Sequence, residues 1–155
     1  MLTARLVQMI EDSAEELTRG LIKDLQSNSK TPHYHHLTYE ELHFRTHSVY
    51  KNLGHWVTQR SEEPIASEYA DLAHRRYNEG VPLEEIVFAL MSTKNHLYTF
   101  MRTTGGMDSA LELHQERELR RQIGIFFDKA IYYTVKAYEQ RVRTELAGRG
   151  ARLAA

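Results

Sequence analysis

An all-α bundle of about five helices, the last of them long, is the fold class that this chain of 155 residues predicts. Apolar residues recur at three- and four-residue steps in nearly every segment, the spacing that gathers side chains on one face of an α-helix. No stretch alternates apolar and polar residues with the period of a strand. The three prolines, Pro32, Pro64 and Pro82, stand between the periodic segments rather than inside them.

Leu2, Leu6, Met9, Ile10, Ser13, Leu17, Leu21 and Leu25 predict a first helix running to about Gln26. The turn-forming run from Ser27 to Pro32 ends it, because proline disfavours helical geometry at the residue before it. Thr38 followed by Glu41 has the spacing of a capping box, so a second helix starts there. Its core face reads Leu42, Val49, Leu53, Trp56 and Val57, and it fades near Arg60. Pro64 then opens a short third helix carrying Ile65, Tyr69, Leu72, Ala73 and Tyr77, with Gly80 as its stop. Pro82 begins the fourth, with Glu84 and Glu85 where the helix dipole favours negative charge. Leu83, Ile86, Val87, Leu90, Met91, Leu97, Tyr98 and Met101 form its stripe. Gly105-Gly106 is the expected end, Asp108 the expected cap of the fifth helix, and no later proline interrupts the chain. Leu119, Ile123, Phe126, Phe127, Ala130, Ile131, Thr134, Ala137 and Tyr138 cover more than one face, so the fifth helix is expected centrally, or against a partner chain as well.

At this length one domain, spanning 1–147, is the default, followed by a tail at 148–155 in which Gly148 and Gly150 are expected to break the helix. With 41% apolar and 26% charged residues the chain has a globular composition, which argues against long disordered linkers. A formal net charge of −1 removes the global electrostatic case for nucleic acid. The arginine-rich tail, Arg141 to Arg152, lacks interleaved aromatics and reads as a solvated exit linker. Cysteine is absent, which excludes thiolate chemistry and suits a reducing, cytoplasmic location. Arg5, Glu11 and Asp12 interrupt the apolar pattern of the first helix, which does not read as a signal peptide, and no run reaches membrane-spanning length.

Two blocks carry a family resemblance. TPHYHHLTYEELHFRTHSVYKNLGHWV, from Thr31, and YADLAHRRYNEGVPLEEIVFALMSTKNHLYTFMR, ending at Arg102, resemble the N-terminal domain family of RsbRD-type proteins, the RsbT co-antagonist regulators of bacterial stress signalling. The resemblance implies a non-catalytic helical input module whose last helix leads into an output domain such as a STAS domain or a kinase. Related regulators place a globin-like helical fold here without a demonstrated haem. This chain departs from that pattern by ending at Ala155 without an output domain, so it reads as an excised domain or as a stand-alone relative acting through a protein partner. The family fixes no catalytic residue.

Nine histidines are many for this length, and His33, His35, His36, His43, His47 and His55 cluster. His43 and His47 are one helical turn apart, and Glu40 with His43 makes an E-x-x-H pair of the kind that di-iron bundles use. His36, Glu40, His43 and His47 are therefore the set from which a metal site would be drawn. The angular distance of His43 and His47 from Leu42 puts them on the flank or solvent side, so surface histidines holding no metal are the expectation. His74, His96 and His114 stand alone on separate helices, and an axial haem ligand would have to come from these or from His47. Tyr69, Tyr77, Tyr98, Phe126 and Phe127 are the candidate lining of a small-molecule pocket, although core packing, which helical spacing alone predicts, is the favoured expectation. No phosphate loop, nucleophile elbow or HExxH occurs, and no catalytic residue is expected. The reading that results is an input domain that forms a homodimer, with Ile123, Phe127, Ile131 and Tyr138 on the helix that dimerises and transmits. The rival reading is a haem- or metal-binding bundle that senses or turns over a small ligand.

Overall fold

The computed structural model describes residues 2–104 and 109–154. The expected Gly105-Gly106 stop and Asp108 cap lie outside these residues, and the side chain of Leu2 is likewise not described. Among the described residues there are seven α-helices, one 3₁₀ turn and no strand: α1 (Leu2–Asp12), α2 (Ala14–Leu25), the 3₁₀ turn Pro32–His36, α3 (Tyr39–Lys51), α4 (Leu53–Val57), α5 (Glu63–Asn78), α6 (Leu83–Thr104) and α7 (Ala110–Ala154).

Seven replace about five because the first two periodic segments each bend once. At Ser13 the backbone leaves helical geometry at φ −98° and ψ 11°. Its amide still bonds the Met9 and Ile10 carbonyls, at 3.2 and 3.1 Å, so the helix bends without losing its apolar stripe. At Asn52 (φ −114°) the second segment turns so that α4 packs on α1. Gly54 permits the approach: a Cβ there would stand 3.1 Å from Val7 Cγ1, and its amide donates to Glu11 Oε1 at 3.0 Å.

The ends follow local chemistry. Thr38 and Glu41 form the reciprocal capping box, with Glu41 N–H donating to the Thr38 hydroxyl at 3.2 Å and Thr38 N–H to the Glu41 carboxylate at 2.7 Å. Gly80 takes φ 77°, Val81 N–H reaches the Arg76 carbonyl and Gly80 N–H the Tyr77 carbonyl, the paired bonds of a Schellman closure. For α7 the described cap is Ser109, whose hydroxyl accepts from Glu112 N–H at 3.1 Å.

The core joins all the long helices. α7 is the central rod, packed mainly against α5 and α6, while α2 lies against α3 and α6. On α6 the stripe differs from expectation at Met91, which is exposed. Ala89, Ser92 and Thr93 are buried instead, because they share the face of Ile86, Leu90, Leu97 and Met101. On α7 helical geometry runs through Gly148 and Gly150 to Ala154, so the described part of the tail is helical and not the broken linker expected. Two glycines cost a helix about 1 kcal/mol each relative to alanine, which does not end it. The helix's 45 residues, at roughly 1.5 Å each, make a rod about 65 Å long that overhangs the core. No helix among the described residues is long and apolar enough to cross a membrane.

Candidate functional site

The face of α3 that carries Leu42 and Val49 also carries Arg45, and the face of α5 that carries Tyr69, Leu72 and Ala73 also carries Arg76. Helical spacing forces both arginines toward the core. Between them lies a cavity of about 50 Å³, walled by Leu42, Val49, Tyr69, Leu72, Ile86 and, from α7, Phe127, among others. That is room for roughly two water-sized groups.

The guanidinium of buried Arg76 and that of half-buried Arg45 are each neutralised on the outer edge. Arg45 donates through Nη1 to the Glu68 carboxylate at 3.1 Å and through Nη2 to Asp71; Arg76 donates through Nη1 to Glu79 at 2.8 Å. The Arg76 guanidinium also sits 5.6 Å from the centre of the Tyr34 ring. Three polar atoms of cavity-lining residues find no protein partner: Nε of Arg45, Nε of Arg76 and the hydroxyl of Tyr69. Tyr69 and Arg76 are each only 3% exposed. Burial pushes the Tyr69 phenol well above its usual range, and that of Tyr34 up to about 12, so both hydroxyls keep their protons. All three unpartnered groups can donate a hydrogen bond, and the two Nε–H groups can do nothing else. The cavity is thus a largely apolar pocket, three of whose lining residues keep an unpartnered donor.

Of the aromatic residues expected in a pocket, Tyr69 and Phe127 line this cavity. Phe126 stands behind them, edge-on to Tyr69 at 5.8 Å and to Trp56 at 5.7 Å. Tyr77 packs on Tyr138 at 5.3 Å, and the Tyr98 hydroxyl bonds the Arg120 carbonyl at 3.0 Å on the α6–α7 face. The five do not meet, because residues eight apart on one helix, such as Tyr69 and Tyr77, are about 12 Å apart along its axis. Arg45 and Arg76 are the residues that the sequence reading missed. The signal was present: each arginine occupies a position on an apolar stripe.

The expected dimer and transmission residues all lie on α7. Ile123 and Phe127 are buried in the chain's own core, and Ile131 and Tyr138 are half-buried against it, with the Tyr138 hydroxyl on the Val81 carbonyl at 2.8 Å. The apolar residues that α7 leaves exposed are others, including Ile125, Tyr132 and Leu146.

Compared with models of known families, with curated proteins and with solved structures, the chain matches none.

The histidines disperse, with one exception. His33 bonds the buried carboxylate of Glu85 through its ring and, at 2.8 Å, through its backbone N–H, tying the 3₁₀ turn to α6. Glu85 therefore does more than complement a dipole. His35 reaches the Asn28 carbonyl at 2.7 Å, and His96 lies 3.6 Å from Asp24. His43 and His47, by contrast, stack at 4.9 Å and both direct Nε2 at Glu15 of α2, at 2.9 and 3.6 Å. His36 and Glu40 are exposed and stand outside this group. Hydrogen bonding to His43 holds the Glu15 carboxyl below its usual range, with the Tyr39 hydroxyl adding to the effect. Among the described residues no histidine lines the cavity.

Proposed function

We propose that the chain is a non-catalytic input domain of bacterial signal transduction, working in the cytoplasm, that receives a small ligand in its cavity and passes the signal along α7 to a partner protein or an attached output domain. The observation that carries this reading is the cavity wall itself. Three residues that each keep an unpartnered donor, Arg45, Tyr69 and Arg76, line a space that Phe127 of α7 also lines. A ligand that satisfies the donors stabilises one packing of α7 over another, and such differential binding is what a population shift requires. The resemblance over Thr31 to Arg102 supports the same reading, and so does the overhang of α7 beyond the core. We further propose a homodimer formed through the exposed residues Ile125, Tyr132 and Leu146, spaced at multiples of seven along α7.

The test is a series of short carboxylates, formate to butyrate, with the matching amides, screened by thermal shift and followed by hydrogen exchange of α7. Stabilisation that peaks at a short member, disappears in Tyr69→Phe and slows exchange around Phe127 is the expected result. A flat response in melting temperature and exchange across both series would remove the support that the cavity lends.

A further inference from the structure

The strongest constellation outside the cavity is Glu15, His43 and His47, whose ligand atoms all lie within 4.8 Å of one another. We propose that these three side chains form a binding site for a borderline divalent transition metal of the zinc class, clamping α2 to α3. Three protein ligands are the number found in open zinc sites, with a fourth position left for water or a partner's side chain. Two imidazoles with one carboxylate also suit cobalt and nickel, and sulfur is not needed.

The geometry is close to what a metal demands. Tetrahedral zinc with bonds of about 2.0–2.1 Å places its ligand atoms roughly 3.3 Å apart. Glu15 Oε2 stands 2.9 Å from His43 Nε2 and 3.6 Å from His47 Nε2. The two rings, one turn apart on α3, are stacked at 15°, and both present Nε2 to the same carboxylate oxygen. The carboxylate is held from behind: the Tyr39 hydroxyl donates to Glu15 Oε1 at 3.1 Å, and the Tyr39 ring packs on His43 at 5.3 Å. Such outer contacts orient ligands and raise affinity. Arg19, which interacts with the Tyr39 hydroxyl, is the charge opposing a cation here. With neutral imidazoles the three ligands carry one negative charge, which leaves the site attractive to a divalent ion.

From sequence alone these histidines were expected to hold no metal, since they lie on a connector and a helix flank without an inward second shell. Glu15 and Tyr39 supply what was lacking. The site is independent of the cavity and of the signalling reading.

The test uses the untagged full chain, stripped with a chelator and titrated with Zn²⁺ against a chromophoric competitor, with Co²⁺ as the spectroscopic probe. One metal per chain is expected, with a Co²⁺ spectrum of low coordination number. His43→Ala, His47→Ala and Glu15→Gln should each weaken binding by at least about tenfold, and Tyr39→Phe, which leaves every ligand in place, by roughly tenfold. His35→Ala and His36→Ala should change nothing. Metal bound below one equivalent, or binding that survives the loss of both His43 and His47, would mean an adventitious ion only and overturn the site. Should a ligand variant lose helicity, protection of wild-type His43 and His47 from diethylpyrocarbonate by Zn²⁺, mapped by mass spectrometry, decides the matter. Absence of protection there overturns it equally.

Discussion

Two buried tyrosines make a matched pair for measuring what the cavity lacks. The Tyr50 hydroxyl donates to the Thr93 carbonyl at 2.9 Å in the core, whereas the Tyr69 hydroxyl, equally buried, has no protein partner. Tyr50→Phe removes a made bond and should cost of order 1 kcal/mol, the net worth of a buried hydrogen bond. Tyr69→Phe removes a hydroxyl whose desolvation is not offset by the protein. That penalty is about 1–3 kcal/mol, so the variant should be neutral or more stable than the wild type. Neither substitution opens a cavity, since the ring remains. The two variants should therefore differ by roughly 1–4 kcal/mol, separating their melting temperatures by several degrees at about 2–4 °C per kcal/mol for a chain of this size. Urea denaturation followed by circular dichroism reads the difference in midpoint, provided that the slope m is unchanged. If Tyr69→Phe destabilises as much as Tyr50→Phe, the hydroxyl is satisfied in the folded protein and is not held open for a ligand.

Gly80 is strained only through its φ of 77°, because a Cβ there meets nothing within 4 Å. Gly80→Val should cost about 1–2 kcal/mol or more while Gly80→Asn, which tolerates the left-handed region, costs much less; equal melting curves for the two would refute the assignment. The folded state holds the phenolic protons of Tyr34, Tyr50 and Tyr69 more tightly than the unfolded chain does. Stability is therefore complete below the ordinary tyrosine value of 10 and falls as pH rises from there through about 12, where Tyr34 titrates. Tyrosinate absorbance should rise for these residues only as the circular dichroism signal is lost. Thr38→Ala breaks the capping box and should cost about 1 kcal/mol in a denaturation experiment, and Glu41→Ala part of that. Ile125→Glu combined with Tyr132→Glu should convert a dimer to a monomer by light scattering with no loss of helicity, and a monomeric wild type would refute the proposed interface.

What was legible in the sequence was the set of properties that neighbouring residues decide among themselves. The capping box at Thr38 and Glu41, the glycine closure at Gly80, the start of α5 near Pro64 and the buried register of α7 each depend on residues within two turns. Backbone hydrogen bonding and helical spacing operate at that range, so local chemistry was enough. Composition and periodicity likewise established the helical class. The bends at Ser13 and Asn52 were not legible, because each keeps its hydrogen bonds and serves to bring a helix against a distant partner. Nor was Glu15, an exposed residue on one helix, whose meaning comes from lying opposite His43 and His47 on another. Arg45 and Arg76 stand between these cases. Their place on apolar stripes was readable, but whether a buried guanidinium finds a carboxylate depends on how α3, α5 and the Gly80 turn pack. Periodicity says which face of a helix turns inward; only the packing of helices far apart in the chain determines which polar atoms that face meets.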